Sequence, residues 1–126
     1  MQRSLSGYGT FNYEELIGDL GYSSNSYIAP EYIQLTANEG WKGNVAGLIT
    51  EIIIRQTKKG DMGKLTLDNN NELIDVVMWN DQWITFKDQL IGKEDCGLIV
   101  SGEIKYDSYN KKNMLYCDAE TALRLF

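Results

Sequence analysis

The stretch GNVAGLITEIIIRQTKKGDMGKLTLDNNNELIDVVMW, residues 43–79, decides the fold. Its apolar and β-branched residues predict three antiparallel strands, a long one over 44–56 and two short ones, joined by turns at 58–63 and 68–71. The second turn consists of Asp and Asn residues, which tolerate left-handed backbone angles. Gly47 lies inside the long strand and indicates a bend or a bulge there. A long, bent first strand can serve two sheets, as a small closed barrel requires.

A helix is predicted directly after this stretch. Its apolar residues recur with a helical period: Trp83, Phe86 and Leu90. We expect Asn80 or Asp81 to be the N-cap and Gly92 to stop the helix. The apolar face of the helix can plug one end of a barrel, with Trp83 in the core.

Two further strands are predicted over 97–106 and 114–117, and residues 120–126 form either a short helix or an extended end. The order is therefore three strands, a helix and two strands. This is the order of the OB-fold, a five-stranded Greek-key barrel with a helix between strands 3 and 4. We therefore predict a mainly β protein in which residues 43–126 form an OB-fold domain.

Residues 1–42 are predicted to be an N-terminal extension that is partly helical and packs against the barrel. A short helix is expected over 13–20, with Asn12 as its N-cap and Gly21 at its C-terminal end. The segment is acidic and rich in tyrosine, which leaves two other interpretations open. It could be an arm for a partner protein, or a linker cut from a larger chain.

The composition points to one soluble domain, with 126 residues of which 43% are hydrophobic and 24% charged. The sequence shows neither the apolar core of a signal peptide nor a membrane-spanning run, so we expect a cytoplasmic protein without a membrane partner. Cys96 and Cys117 are expected to be reduced, structural thiols. The chain has no histidine, the commonest general base and metal ligand, and Asp68 and Asp75 are interpreted as exposed polar residues. We therefore expect no catalytic residues, no metal site, no cofactor and no enzyme activity.

The net charge of −6 conceals a segregated distribution. Residues 1–40 are acidic, whereas residues 55–64 hold four basic residues against Asp61 alone, and residues 105–112 hold three against Asp107 alone. Both basic segments lie at predicted turns. Lysines can decorate exposed turns for solubility, or they can neutralise the phosphates of a nucleic acid.

Four short motifs carry a family resemblance: Val45-Ala-Gly-Leu-Ile-Thr-Glu51, Thr57-Lys-Lys-Gly60, Leu73-Ile-Asp-Val-Val-Met-Trp79 and Leu98-Ile-Val-Ser-Gly-Glu103. In this order and spacing, over residues 43–117, they resemble the OB domain near the C-terminal end of bacterial DNA polymerase III alpha subunits. They are also similar to the wider nucleic-acid-binding OB group, which includes anticodon-binding domains of aminoacyl-tRNA synthetases. The chain is far too short to hold the polymerase's catalytic core, so the resemblance indicates an isolated domain, a split piece or a phage-type stand-alone relative.

The resemblance implies binding of single-stranded DNA, with RNA as a second candidate. OB barrels bind single strands on strands 2 and 3, between the loops that join strands 1–2 and 4–5. The candidate binding residues are Arg55, Lys58, Lys59, Lys64, Thr66, Trp79, Lys105, Tyr106, Tyr109, Lys111 and Lys112. The alternative role for Trp79 is a lid on the core, and for Tyr106 and Tyr109 it is a shield over the barrel rim.

Two functions of different classes follow. The first is a non-catalytic single-stranded nucleic-acid-binding OB domain associated with DNA replication. The second is an OB-fold protein-interaction module in a replication or other macromolecular assembly, which the acidic charge and the tyrosine-rich extension favour. Replication proteins are the expected partners of residues 1–42.

Overall fold

The computed structural model describes residues 11–126, so the polar lead over 1–10, with Arg3 and Tyr8, lies outside the described residues. The helices are α1 (Tyr13–Asp19), α2 (Pro30–Ile33) and α3 (Asn80–Leu90), with 3₁₀ turns at Ser24–Ser26 and Thr36–Asn38. The strands are β1 (Lys42–Thr57), β2 (Gly60–Asn69), β3 (Glu72–Met78), β4 (Gly97–Asp107), β5 (Lys112–Tyr116) and β6 (Leu123–Leu125).

The long first strand closes a barrel, because it pairs with two different strands along its length. Its first part, from Lys42 to Leu48, is antiparallel to β4, and its second part, from Leu48 to Thr57, is antiparallel to β2. β3 joins the other side of β2, and β5 completes the ring by pairing in parallel with β3 and antiparallel with β4. The protein is therefore a mainly β, five-stranded OB-fold barrel with α3 between β3 and β4, as predicted.

The irregularity in β1 lies slightly later than Gly47. The β1–β2 register shifts between Ile49 and Glu51, which leaves Thr50 as the extra residue of a bulge. Gly47 has a different role, because a Cβ there would lie only 2.8 Å from the carbonyl oxygen of Asp68. The glycine therefore lets the β2 backbone approach β1 closely, next to the point where β1 changes its partner strand.

The turn between β1 and β2 is shorter than predicted. Only Lys58 and Lys59 form it, whereas the prediction extended over 58–63. Thr57 already pairs with Gly60 across the hairpin, so the glycine-rich part of the predicted turn belongs to β2. Two lysines are therefore presented together at the tip of a tight hairpin.

Other local predictions are confirmed by the backbone. In the second turn, φ is 55° at Asn70 and 73° at Asn71, so both residues are left-handed. The side chain of Asn12 accepts a hydrogen bond from the N–H of Glu15 at 2.9 Å, which makes Asn12 the N-cap of α1. Gly21, with φ of 95°, follows the end of that helix.

Helix α3 plugs the barrel through Trp83, which is 1% exposed. Gly63 of β2 leaves room for this ring, which a Cβ at that position would overlap. The predicted N-cap was wrong, because the helix is capped by Trp79 and Asn80 is its first residue. The side chain of Asn80 instead donates to the carbonyl oxygens of Gly60 and Asp61, at 2.8 and 2.9 Å.

The described part of the N-terminal segment, residues 11–41, packs against the barrel. Ile28 and Ile33 are buried in the same core as the strands. The side-chain amide of Gln34 accepts from the N–H of Asn113 at 2.9 Å and donates to its carbonyl at 2.8 Å, so it acts like a neighbouring strand for β5. The division of the chain at residue 42 stays a prediction.

The C-terminal tail is extended, since β6 pairs antiparallel with β4. Both cysteines are free thiols, with Cys117 buried and Cys96 half-buried. Within residues 11–126, no helix combines the length and the apolar character needed to cross a membrane.

Candidate nucleic-acid interface

We call one surface of the barrel the outer face. It consists of the side chains near Lys64 that the strands direct away from the core. Strand alternation and register place the following residues on it: Glu51, Ile53, Arg55, Met62, Lys64, Thr66, Asp68, Leu73, Asp75, Val77, Glu103, Lys105, Asp107, Lys112, Met114 and Tyr116. Trp79 directly follows the end of β3. In β2, Leu65 and Leu67 point inwards and are fully buried. Ile53, Lys64, Val77 and Tyr116 are register partners, so four strands contribute to one continuous row.

An apolar floor lies in the middle of the outer face. Met62, Val77 and Met114 form a buried cluster that is separate from the main core, and Tyr116 packs against it. This floor was not predicted, because the cluster joins residues from strands that are far apart in the chain. The alternation of outward Met114 and Tyr116 with inward Leu115 is a local signal of it.

A single carboxylate occupies the charged centre of the outer face. The side chain of Asp75 is only 10% exposed, so it is not the exposed polar residue that we expected. Its Oδ1 lies 4.0 Å from the ammonium of Lys64 and accepts a hydrogen bond from the hydroxyl of Thr66 at 3.3 Å, while its Oδ2 forms an ion pair with Lys112. Two of the predicted binding lysines are therefore neutralised by a residue that was not among the candidates.

The β4–β5 side of the outer face adds a lysine and a tyrosine. The ammonium of Lys105 lies 5.9 Å from the ring centroid of Tyr116, a distance that suits a cation–π contact. Burial raises the pKa of Tyr116, and the nearby charge of Asp107 adds to this effect. The pKa of Asp107 is lowered, chiefly by a hydrogen bond from the backbone N–H of Asn110. At neutral pH the phenol of Tyr116 is thus neutral and the carboxylate of Asp107 is ionised. The carboxylate of Asp107 holds the β4–β5 turn in place through its hydrogen bond from Asn110.

The two basic turns lie at opposite ends of the outer face. Lys58 and Lys59 extend beyond Arg55 and Met62, whereas Lys111 extends beyond the opposite end. The strands between these ends cover about six residues, or roughly 20 Å at the usual rise of a strand. Asn80 fixes the first turn by donating to the carbonyl oxygen of Gly60 at 2.8 Å.

The predicted aromatic residues divide between two sides of the barrel. Trp79 is 48% exposed at the junction between β3 and α3, where it is the N-cap of the helix. Tyr109 is 86% exposed in the β4–β5 turn. Tyr106 alternates with Lys105 and therefore points away from the outer face, towards the side where its register partner Asn113 bonds to the segment containing α2.

Comparisons with known proteins concern the fold. No protein-family profile and no curated protein sequence matches this chain. Among solved structures, it is similar to a replication factor A related protein from Methanobacterium thermoautotrophicum, with a TM-score of 0.56 and 15% identity, covering 70% of this chain and 83% of that one.

Two other structures are similar at the same level. They are a replication protein A heterotrimer bound to ssDNA (TM-score 0.54, 14% identity, covering 79% of this chain and 24% of that one) and the Schizosaccharomyces pombe Stn1–Ten1 complex (TM-score 0.51, 18% identity, covering 68% and 57%). The chain thus spans less than two thirds of these two proteins. At such identities the likeness shows a shared OB-fold.

Proposed function

We propose that this protein is a non-catalytic OB domain that binds single-stranded nucleic acid and serves DNA replication, with DNA as the main ligand and RNA as the second. The observation that carries this proposal is the outer face, where an apolar floor is combined with lysines and exposed aromatic rings. Bases can stack on aromatic and apolar side chains, while lysines neutralise the phosphates. The similar solved structures include replication proteins, one of them bound to ssDNA, which supports the same assignment.

The residues of the outer face suggest a path for the strand. Lys58 and Lys59 would contact phosphates at one end of the face, and Lys111 at the other. Between these ends, Trp79 and Tyr116 would stack on bases. A path of roughly 20 Å suits the about 4–16 nucleotides that one OB barrel occupies.

The relation to DNA polymerase III alpha subunits belongs to the same proposal. The four motifs over residues 43–117 support it. In that relation, the chain supplies a single-strand-binding module without chemistry of its own. Binding is expected to be weak and sensitive to salt, since few basic residues face the strand and the net charge is −6.

The two turns can be tested separately with charge reversals. We expect Lys58→Glu/Lys59→Glu and Lys111→Glu/Lys112→Glu each to weaken binding of labelled oligo-dT by at least about tenfold at low salt, because each reversal opposes phosphate contacts at one end of the path. Fluorescence anisotropy measures the affinity, and circular dichroism confirms folding. The matched control is Lys93→Glu/Arg124→Glu, which makes the same charge change at two exposed residues outside the outer face. Equal affinities for the turn variants and the control would refute the proposed path.

A protein-interaction module is the second candidate, and one surface favours it. Tyr32, Leu35 and Trp41 are 47%, 49% and 52% exposed within one short segment that is anchored to β4 and β5. Large exposed apolar side chains in close succession are typical of contact surfaces. If replication proteins bind here, proteolytic cleavage within 30–41 should slow in their presence, and Trp41→Ala should remove this protection.

A further inference from the structure

The second half of β1 has an edge without a partner strand. Its pairing with β4 ends at Leu48, and from there to the hairpin it pairs only with β2. On the β4 side, Asp95 and Cys96 cover Ile49 through backbone hydrogen bonds of 2.6 and 2.8 Å. Over the part of the chain that the structure describes, no backbone group of another element bonds to the edge at 52–56.

The direction of the backbone groups follows from two independent features. Three residues direct their N–H and C=O groups towards this edge: Ile52, Ile54 and Gln56. Thr57 and Gly60 close a two-residue hairpin, so their backbone groups bond to each other. Because the pattern alternates, every second residue before Thr57 also bonds to β2, and the residues between them direct their backbone groups to the open edge. The bulge at the start of this part of β1 gives the same directions for the backbone groups. Ile49 bonds towards the β4 side, and the extra residue Thr50 shifts the alternation by one residue, so Ile52 again faces the β4 side.

Of the features that usually protect an edge strand, this edge has one charged residue, Arg55, and the neighbouring bulge at Thr50. Residues 52–56 include three consecutive isoleucines and contain neither proline nor lysine. Ile54 is 47% exposed, and Ile52 and Ile53 are half-buried. Apolar β-branched side chains beside open hydrogen-bonding groups make a template for the addition of another strand.

We propose that this edge pairs with the same edge of a second copy of the chain, antiparallel and with Ile53 on the two-fold axis. In this register Ile52 lies opposite Ile54 of the second copy. Both residues direct their backbone groups to the edge, so the hydrogen bonds of an antiparallel ladder can form.

The charged side chains on β1 favour this register, and they favour a second copy of the chain as the partner of the edge. With Ile53 on the axis, Glu51 lies opposite Arg55 of the second copy, and the symmetry repeats the pair on the other side. Registers centred on Ile52 or Ile54 also satisfy the hydrogen bonds, but they place no opposite charges across from each other. The edge is thus complementary to itself in hydrogen bonding and charge.

Pairing of the two edges extends the outer face across both copies. Ile53 is the register partner of Lys64, so it lies on the outer face, and Glu51 and Arg55 lie on the same side of β1. In the dimer, Arg55 of the second copy joins the row that contains Glu51 and Thr66. The dimer does not depend on nucleic-acid binding, so the two proposals can fail separately.

Sedimentation of the full chain tests the dimer through two opposite charge reversals. We expect the wild-type chain to dimerise, and Glu51→Arg and Arg55→Glu each to raise the dissociation constant at least about tenfold, because each places like charges opposite each other twice. The double variant Glu51→Arg/Arg55→Glu should dimerise again. An equimolar mixture of the two single variants should also associate, since one copy then presents two arginines and the other two glutamates. Arg124→Glu is the control for Arg55→Glu, because it makes the same charge change at an exposed residue away from this edge.

Three results would overturn the proposal. They are a wild-type chain that stays monomeric up to about 1 mM, single variants that dimerise like the control, or a mixture of single variants that does not associate. Recovery in the mixture requires both variants to be folded, so a loss of folding cannot imitate the expected result.

Discussion

At the scale of single residues, Asp75 determines which lysines of the outer face are already paired. Its carboxylate pairs with Lys64 and Lys112 and is almost inaccessible to solvent, so in the proposed nucleic-acid site it would compete with phosphate for both lysines. The sequence could not reveal this, because the ion pairs link three strands and depend on their register. The register of β2 and β3 places Lys64 and Asp75 on the same face.

Asp75→Asn should therefore increase the affinity for single-stranded DNA at low salt. Removing the carboxylate releases the two lysines, and the salt dependence of binding should become steeper by about 0.7 per lysine that reaches a phosphate. Anisotropy titrations at several salt concentrations measure both effects. Asp88→Asn, on the exposed side of α3, is the control for the change in net charge. An unchanged or lower affinity of Asp75→Asn would contradict the competing role.

The thiols offer a second prediction at this scale. Burial raises the pKa of Cys117 to about 12 from an ordinary value of 9.0. The reactive thiolate is then about a thousandfold scarcer than at an unperturbed cysteine near neutral pH. We expect iodoacetamide to modify Cys96 first and Cys117 only after unfolding, as mass spectrometry of native and urea-treated protein would show. Modification of both thiols at similar rates in the native protein would be inconsistent with this burial.

At the scale of elements, the sequence predicted the strands and the helix better than their contacts. Alternation identified the strands, and the Asn residues at 70 and 71 identified a left-handed turn. The N-cap of α3 was wrong because Asn80 makes its hydrogen bonds to the β1–β2 hairpin, a tertiary contact that overrides the local preference. The apolar floor could not be predicted, since Met62 and Met114 meet only in the folded barrel.

The packing of α3 on β2 gives a prediction for stability. Gly63→Ala should destabilise the protein by about 1–3 kcal/mol, because the added methyl group overlaps the buried ring of Trp83. Urea denaturation followed by circular dichroism measures the change. Gly18→Ala in α1 is the control, since no atom lies within 4 Å of its added Cβ. If both variants were equally stable, the close approach between β2 and α3 would be refuted.

At the scale of the whole molecule, the order of elements was sufficient to predict the OB-fold. A bent first strand that serves two partners, together with a helix between strands 3 and 4, leaves few other ways to close a small barrel. The net charge alone would have argued against a nucleic-acid ligand. The proposed ligand rests instead on the distribution of charge, since the lysines lie at both ends of the outer face and the carboxylates of residues 11–41 lie outside the strands of that face.

The most direct test of the central claim is the binding of a labelled oligo-dT strand of ~20 nucleotides, long enough for one OB barrel. Fluorescence anisotropy should be recorded at about 50 and 200 mM salt, with a duplex of equal length as the comparison. We predict saturable binding to the single strand that weakens at the higher salt and exceeds binding to the duplex. Absence of binding at the lower salt, or equal binding to the duplex, would contradict the assignment of the outer face as a single-strand site.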